Sequence, residues 1–282
     1  NIDFAEVVGP ELLTYNLGSL LELYLDTLNK ITGEENEGGF IGARYKPMTY
    51  ILDDKRDEFL EEYGEDFEET DLKTAQTNLA SFMKRLLVMR FESSKEAFRQ
   101  TLLNMIASTK LIDDWWYKLG KIPILKKGQI PDPDSILEST DDSIDQEINE
   151  QTADDELKKL KDSKGLISVD NSLIDPEFID DVKKDRELLT SIYEKWFGDE
   201  AVSIRNLDPK LDGIQNQLEK LLSERSDRKI VIFSTYADTV NYLYLELSKR
   251  GLTRILKYTG ADASKKMKKT IIVGQNMESR QV

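Results

Sequence analysis

The chain has 282 residues, enough for two domains that each bury a real core, and its 39% hydrophobic and 33% charged residues suit a helix-rich protein with an extensive charged surface. It has no Cys and no His, which excludes disulfides, thiolate nucleophiles, His-based triads and zinc sites built from His or Cys. The net charge of −15 argues against non-specific nucleic-acid binding by the chain as a whole, and no run of about 18 apolar residues is present to span a membrane.

Asn1 stands where a signal peptide would show Met, a basic n-region and an apolar h-region, so the start reads as trimmed. The lack of Cys fits a reducing cytoplasm, the expected compartment. Residues 10–31 carry Leu13, Leu17, Leu20, Leu21, Tyr24, Leu25 and Leu28 at helical spacing, with Gly33 as the stop. A polar loop over 34–39 leads into Phe40-Ile41-Gly42-Ala43-Arg44-Tyr45-Lys46-Pro47, where Pro47 breaks regularity. Residues 48–63 read as a short helix with Tyr50, Ile51, Phe59 and Leu60 inward. The longest pattern spans 71–108, with Leu79, Phe82, Met83, Leu86, Leu87, Phe91, Phe98, Leu102, Met105 and Ile106 returning every three or four positions. It predicts one long helix capped by Asp71, or two with a break near Ser93-Ser94. Trp115, Trp116 and Tyr117 are expected to anchor a core.

Residues 132–156 hold eleven acidic residues and no Lys or Arg, together with Pro133 and several Ser and Thr. Such a block resists packing, so the stretch near 131–165 reads as an exposed, mobile insertion. Asp154-Asp155-Glu156-Leu157 within it superficially matches the DExx magnesium motif of motor ATPases. That motif belongs at the end of an apolar strand, and nothing apolar precedes it here.

Helical character returns over 176–197 with Phe178, Ile179, Val182, Leu188, Leu189, Ile192, Tyr193 and Trp196. Then the texture changes. Residues 210–223 form a short amphipathic helix through Leu211, Ile214, Leu218, Leu221 and Leu222. Lys229-Ile230-Val231-Ile232-Phe233 is a continuous apolar run, the pattern of a strand buried on both faces of a parallel sheet. Residues 237–249 are helical and stop at Gly251. Residues 253–258 predict a second strand closed by Thr259-Gly260. Helix, strand, helix, strand is α/β grammar. This part of the chain is also basic: 203–282 carries 15 Lys plus Arg against 9 Asp plus Glu, a net of +6 that leaves −21 for the remainder. Charge asymmetry of this kind points to one lobe facing a polyanion, or to a solvated basic face.

Asp208-Pro209-Lys210-Leu211, the helix after it, and Arg228-Lys229-Ile230-Val231-Ile232-Phe233-Ser234-Thr235-Tyr236 resemble the opening of the second RecA-like lobe of Snf2-family motors. Leu256-Lys257-Tyr258-Thr259-Gly260 resembles that lobe's next strand and polar turn. The resemblance implies that Ser234, Thr235, Tyr236, Thr259 and Gly260 approach a DNA backbone, with Lys265, Lys266, Lys268 and Lys269 adding attraction. On local grounds alone, Ser234-Thr235-Tyr236 simply caps the helix beginning at Ala237. Upstream, Ala43-Arg44-Tyr45 with Pro47, and Leu86 through Ser94 with Ala97-Phe98, resemble the helical region that joins the two lobes in bacterial Snf2-like helicases. By that resemblance Arg90 and Glu92 belong to an interlobe contact; a salt-bridged helix surface is the plainer alternative.

The expected organisation is therefore a mainly α connecting domain over 1–202 and an incomplete α/β, RecA-like lobe with a parallel sheet over 203–282. The resemblance implies ATP and Mg2+ as cofactors of the intact protein, DNA as partner through its backbone, and a first RecA-like lobe that this chain lacks. No Gly-x-x-x-x-Gly-Lys-Ser/Thr loop occurs, and the later motifs of the second lobe, including its Arg-rich one, are absent. Catalytic residues are accordingly not expected here. The competing reading is an acidic helical scaffold whose α/β tail is structural only.

Overall fold

A computed structural model of the chain describes residues 9–64, 69–125, 166–259, 270–271 and 280–281. The described residues are mainly helical. The chain divides into two compact units, Gly18–Leu207 and the pair Asn1–Leu17 with Asp208–Val282. Among the described residues no helix is long and apolar enough to cross a membrane.

The unit Gly18–Leu207 opens with a 3-10 turn at Gly18–Leu20 and helix α1, Leu21–Thr32. The helix expected from residue 10 thus begins later. Leu12 and Leu13 lie outside it and are exposed, and Leu21 and Leu25 are about half exposed within it. Residues 48–63 fold as 3-10 turns followed by α2, Arg56–Tyr63, with Phe59 fully buried. The long apolar pattern resolves into two helices, α3 at Glu69–Ser93 and α4 at Lys95–Leu119. Ser94 breaks them with an extended backbone, and its Oγ accepts the Ala97 N–H at 3.1 Å, a serine N-cap.

Gly120, at φ +63°, ends α4 in the left-handed region. Strand β1, Lys121–Leu125, follows and pairs antiparallel with β2, Leu166–Asp170, from Lys121 opposite Asp170 to Leu125 opposite Leu166. Ile122 faces Val169 and Ile124 faces Ile167, and all four are buried, so one face of the ribbon is core. Helix α5, Glu177–Phe197, and the short α6, Val202–Arg205, complete the unit.

The core lies between α4, α5, α2 and the ribbon, around Trp115, Phe59, Met48, Phe178, Ile179 and Val182. Each fully buried side chain of this size contributes roughly 1.5–3 kcal/mol. Trp115 is an anchor as expected. Tyr117, by contrast, is 62% exposed, because its position on α4 turns it toward solvent, where Lys183 donates to its hydroxyl at 2.7 Å. An aromatic cluster joins α1, α3, α4 and α5: Phe91 meets Tyr24 at 4.7 Å, Phe98 at 4.5 Å and Trp196 edge-on at 5.2 Å. The Trp196 indole N–H donates to Thr27 Oγ at 2.8 Å, so the ring is buried without an orphaned donor.

A polar clamp ties α5 to the loop before α2. Asp185, 2% exposed, accepts the N–H groups of Ile41 at 2.7 Å and Ala43 at 3.0 Å. Burial pushes its carboxyl up to about 6, against the opposing pull of the Ile41, Ala43 and Gly42 N–H groups. Gly42 permits the turn: its φ is +70°, and a Cβ there would meet the Ala80 side chain at 3.2 Å. One turn earlier on α5, Asp181 accepts the Tyr50 hydroxyl at 2.9 Å and Lys184 at 2.7 Å.

In the other unit, helices α7, Pro209–Glu224, and α8, Ala237–Lys249, share a core of Leu211, Leu218 and Leu247. Both expected helices are present. Gly251 sits at φ +90° and Leu252 N–H bonds back to the Leu247 carbonyl, closing α8 as a glycine-terminated helix. The expected strands differ. Residues 229–233 and 253–258 are neither helix nor strand, and among the described residues no parallel sheet is present. A two-residue antiparallel pair, β3 at Thr270–Ile271 and β4 at Arg280–Gln281, is the sheet that this unit does show. Of the run expected to be buried on both faces, Ile230 alone packs on the core, whereas Val231, Ile232 and Phe233 are 71%, 44% and 91% exposed.

Candidate nucleic-acid interface

The candidate residues of the C-terminal unit depend on how α7 and α8 are held. Asp208 caps α7 through Oδ1, which accepts Leu211 N–H at 2.8 Å, and its Oδ2 accepts the Tyr242 hydroxyl of α8 at 2.7 Å. Burial first, and Asp208 next, raise the Tyr242 pKa. Further along both helices, Arg250 Nη1 donates to Asp212 at 2.6 Å and to Gln215 at 2.9 Å. The contacts advance together: early α7 meets mid α8, and the second turn of α7 meets the end of α8. At about 1.5 Å per residue, an antiparallel pair would carry Arg250 far out of reach of Gln215. The two helices run in the same sense.

Ile230 and Ile255 both pack on the core these helices enclose. The polar blocks Ser234-Thr235-Tyr236 and Thr259 each begin four residues beyond one of these isoleucines. Ser234 is half-buried and its Oγ accepts Tyr236 N–H at 3.3 Å, a local hydroxyl turn leading into α8. Thr235 is exposed, and Tyr236, 7% exposed, occupies the N-cap position without a side-chain cap bond. Arg254 adopts φ +63°, and beyond it Lys257 Nζ donates to Asn241 at 2.8 Å and lies 5.7 Å from the Tyr244 ring, fastening that segment to α8. Thr259 is half-buried. Gly260 and Lys265, like Lys266, Lys268 and Lys269, lie outside the described residues, as does the acidic stretch 132–156.

Arg90 and Glu92 separate from one another. Arg90 is 6% exposed and its Nε donates to Thr101 Oγ at 2.9 Å, so it braces α3 against α4. Glu92, on the outer side of α3, is exposed. Lys95, two residues past the break's start, donates to the carbonyls of Ile204, Arg205 and Leu207 at 2.8–3.1 Å, capping the end of α6. Its role needed the fold to be seen, since nothing local marks it.

The sequence holds no Gly-x-x-x-x-Gly-Lys-Ser/Thr phosphate loop, and among the described residues no three acidic groups gather as metal ligands. No family model, no curated protein and no solved structure matches this chain.

Proposed function

We propose that this chain contributes the nucleic-acid-tracking part of the second motor lobe of a Snf2-type, ATP-dependent DNA helicase or translocase. The observation that carries the reading is the shared sense of α7 and α8 over one core that also holds Ile230 and Ile255. Consecutive helices joined by a short loop default to an antiparallel pair. Two that run the same way need a returning segment between them, as in the βαβ units of parallel sheets, and residues 225–236 are that segment. On this reading the runs ending at Ser234 and Thr259, which carry no strand ladder among the described residues, take the places of neighbouring strands in a RecA-like lobe. Ligands of open parallel sheets gather at the carboxyl ends of their strands, and on this reading Ser234, Thr235, Tyr236 and Thr259 follow those ends, with Gly260 and Lys265 next in the sequence. Hydroxyls and backbone N–H groups there hold phosphates without reading sequence. The partners are duplex DNA and a first RecA-like lobe, and ATP with Mg2+ belongs to elements outside this chain.

Fluorescence anisotropy with a labelled duplex of about 20 base pairs tests the proposal. Affinity should fall at least tenfold between about 20 and about 200 mM salt, and Thr235→Glu should weaken it severalfold at the lower salt. Absence of binding at the lowest salt would leave the acidic scaffold as the reading. ATP turnover stimulated by DNA in this chain alone would overturn the assignment of the nucleotide site elsewhere.

A further inference from the structure

We propose that Lys30 is an acylation site: its amine takes the acyl group of a small acyl phosphate, whose phosphate the neighbouring Lys195 ammonium holds. Lys30 of α1 and Lys195 of α5 reach the same oxygen, Asp26 Oδ2, at 3.3 and 2.9 Å. Two ammonium groups thus crowd one carboxylate, which can neutralise only one of them. The crowding is built into the fold rather than left to two long side chains. Next to Asp26, Thr27 is 1% exposed and accepts the indole N–H of Trp196, the residue after Lys195, at 2.8 Å. That buried bond fixes α1 against α5 at the pair.

Lys30 is the more sheltered of the two, its side chain 26% exposed against 47% for Lys195. A like charge alongside and loss of water both favour a free amine. Lys195 first, and burial next, hold the Lys30 amine below the ordinary lysine range, while Asp26 holds Lys195 above it. A lysine relieved of its proton by a neighbouring cation is a nucleophile. The cation that keeps its charge is an anchor for a phosphate.

The site has room for a small donor. Lys30 lines an open pocket of about 400 Å³ together with Gly33, Gly38 and Gly39, which bring no side chains to fill it. Phe40 N–H donates to the Lys30 carbonyl at 3.1 Å and folds this glycine loop back onto the end of α1. From α3, Lys84 donates to the Gly33 carbonyl at 3.2 Å and adds positive charge, and Glu37 is the carboxylate among the lining residues. In the reaction the Lys30 lone pair attacks the carbonyl carbon and a C–N bond forms. The C–O bond to phosphate breaks, and phosphate leaves with that electron pair and the amine's extra proton. The products are an N-acyl lysine and inorganic phosphate, with Lys195 left alone on Asp26. The site stands whether or not the C-terminal unit meets DNA.

Acetyl phosphate added to the full chain at about pH 8 tests the site, with an uncharged acetylating ester in parallel and mass spectrometry following each lysine. Lys30 should react about fivefold faster than the exposed Lys73 and Lys220 with either reagent, and by a wider margin with acetyl phosphate. Lys195→Gln should slow Lys30 severalfold and erase the extra margin, because Lys30 then has Asp26 to itself and keeps its proton. Asp26→Asn should speed Lys30, because its ammonium loses the carboxylate that favours it. A Lys30 rate no higher than that of Lys73, an unchanged or faster rate in Lys195→Gln, a slower rate in Asp26→Asn, or equal margins for the two reagents would each overturn the proposal.

Discussion

Replacing Asp185 by Asn sets the burial of a carboxylate against the hydrogen bonds it accepts. The isolated carboxyl titrates near 3.8, and burial in the folded unit raises it to about 6. A raised folded value means that the proton binds the folded state more tightly. Asp185 therefore stabilises the fold fully at pH below about 3.8, and this contribution is lost as pH rises through about 6. The whole displacement corresponds to about 3 kcal/mol, of which about 1 kcal/mol falls between pH 5 and pH 7. That window lies above the sequence pI of about 4.7, where the chain is least soluble. Asn cannot titrate, and its amide can accept from only one side, so one of the Ile41 and Ala43 N–H groups loses its partner at a cost of about 1–3 kcal/mol. Urea unfolding of both proteins, followed by tryptophan fluorescence from pH 5 to pH 7, isolates the effect by difference, because all other carboxylates, Asp181 included, are common to both. The wild-type advantage over Asp185→Asn should shrink by about 1 kcal/mol as the pH rises. An advantage that stays flat or grows would refute the reasoning, showing that three backbone N–H groups outweigh desolvation.

Ser94→Ala removes the acceptor for Ala97 N–H at the start of α4 and should cost about 1 kcal/mol, measured as a lowered urea midpoint with unchanged slope. Tyr242→Phe leaves Asp208 Oδ2 without its α8 donor and should destabilise the C-terminal unit by about 1 kcal/mol, visible as faster amide exchange in α7 and α8 but not in α4. Replacing 126–165 by a two-residue Asn-Gly turn joins Leu125 to Leu166, which already face each other across the ribbon. Stability of the Gly18–Leu207 unit should stay within about 1 kcal/mol of the parent, and loss of cooperative unfolding would show the join to be wrong.

Helices with a sustained apolar period were legible from the sequence, and the break near Ser93-Ser94 was one of the two readings the stripe allowed, because a serine able to cap interrupts it. Helices α5, α7 and α8 likewise follow from their spacing and from Gly251. The ribbon was missed. Ile122 with Ile124 and Ile167 with Val169 do alternate, but each strand is five residues long and the partners are separated by the acidic stretch, so neither half signals the other. The run at 229–233 shows the opposite failure: its composition says strand, but a strand exists only when another segment supplies the ladder, and composition says nothing about that. Arg90, between Met89 and Phe91, reads as a surface charge on a helix until α4 brings Thr101 to it. Asp185 and Lys95 owe their roles to groups more than a hundred residues away, which no local pattern reports. Of the candidate interface, the order of elements was readable, while the shared direction of α7 and α8 required Asp208, Tyr242 and Arg250 to be seen in place.

The clamp between Asp185 and Ile41 joins positions 144 residues apart, and the bond from Trp196 to Thr27 spans 169. During synthesis, at roughly 5–20 residues per second, α1 and the Gly42 turn wait on the order of ten seconds for α5 to leave the ribosome. Until then Phe91 and Phe98 lack the Trp196 ring that closes their cluster, and Ile41 and Ala43 N–H groups face water. Nascent chains that stop short of residue 197 should therefore be substrates for holdase chaperones, whereas release of α5 converts the same helices, in one step, into a closed bundle.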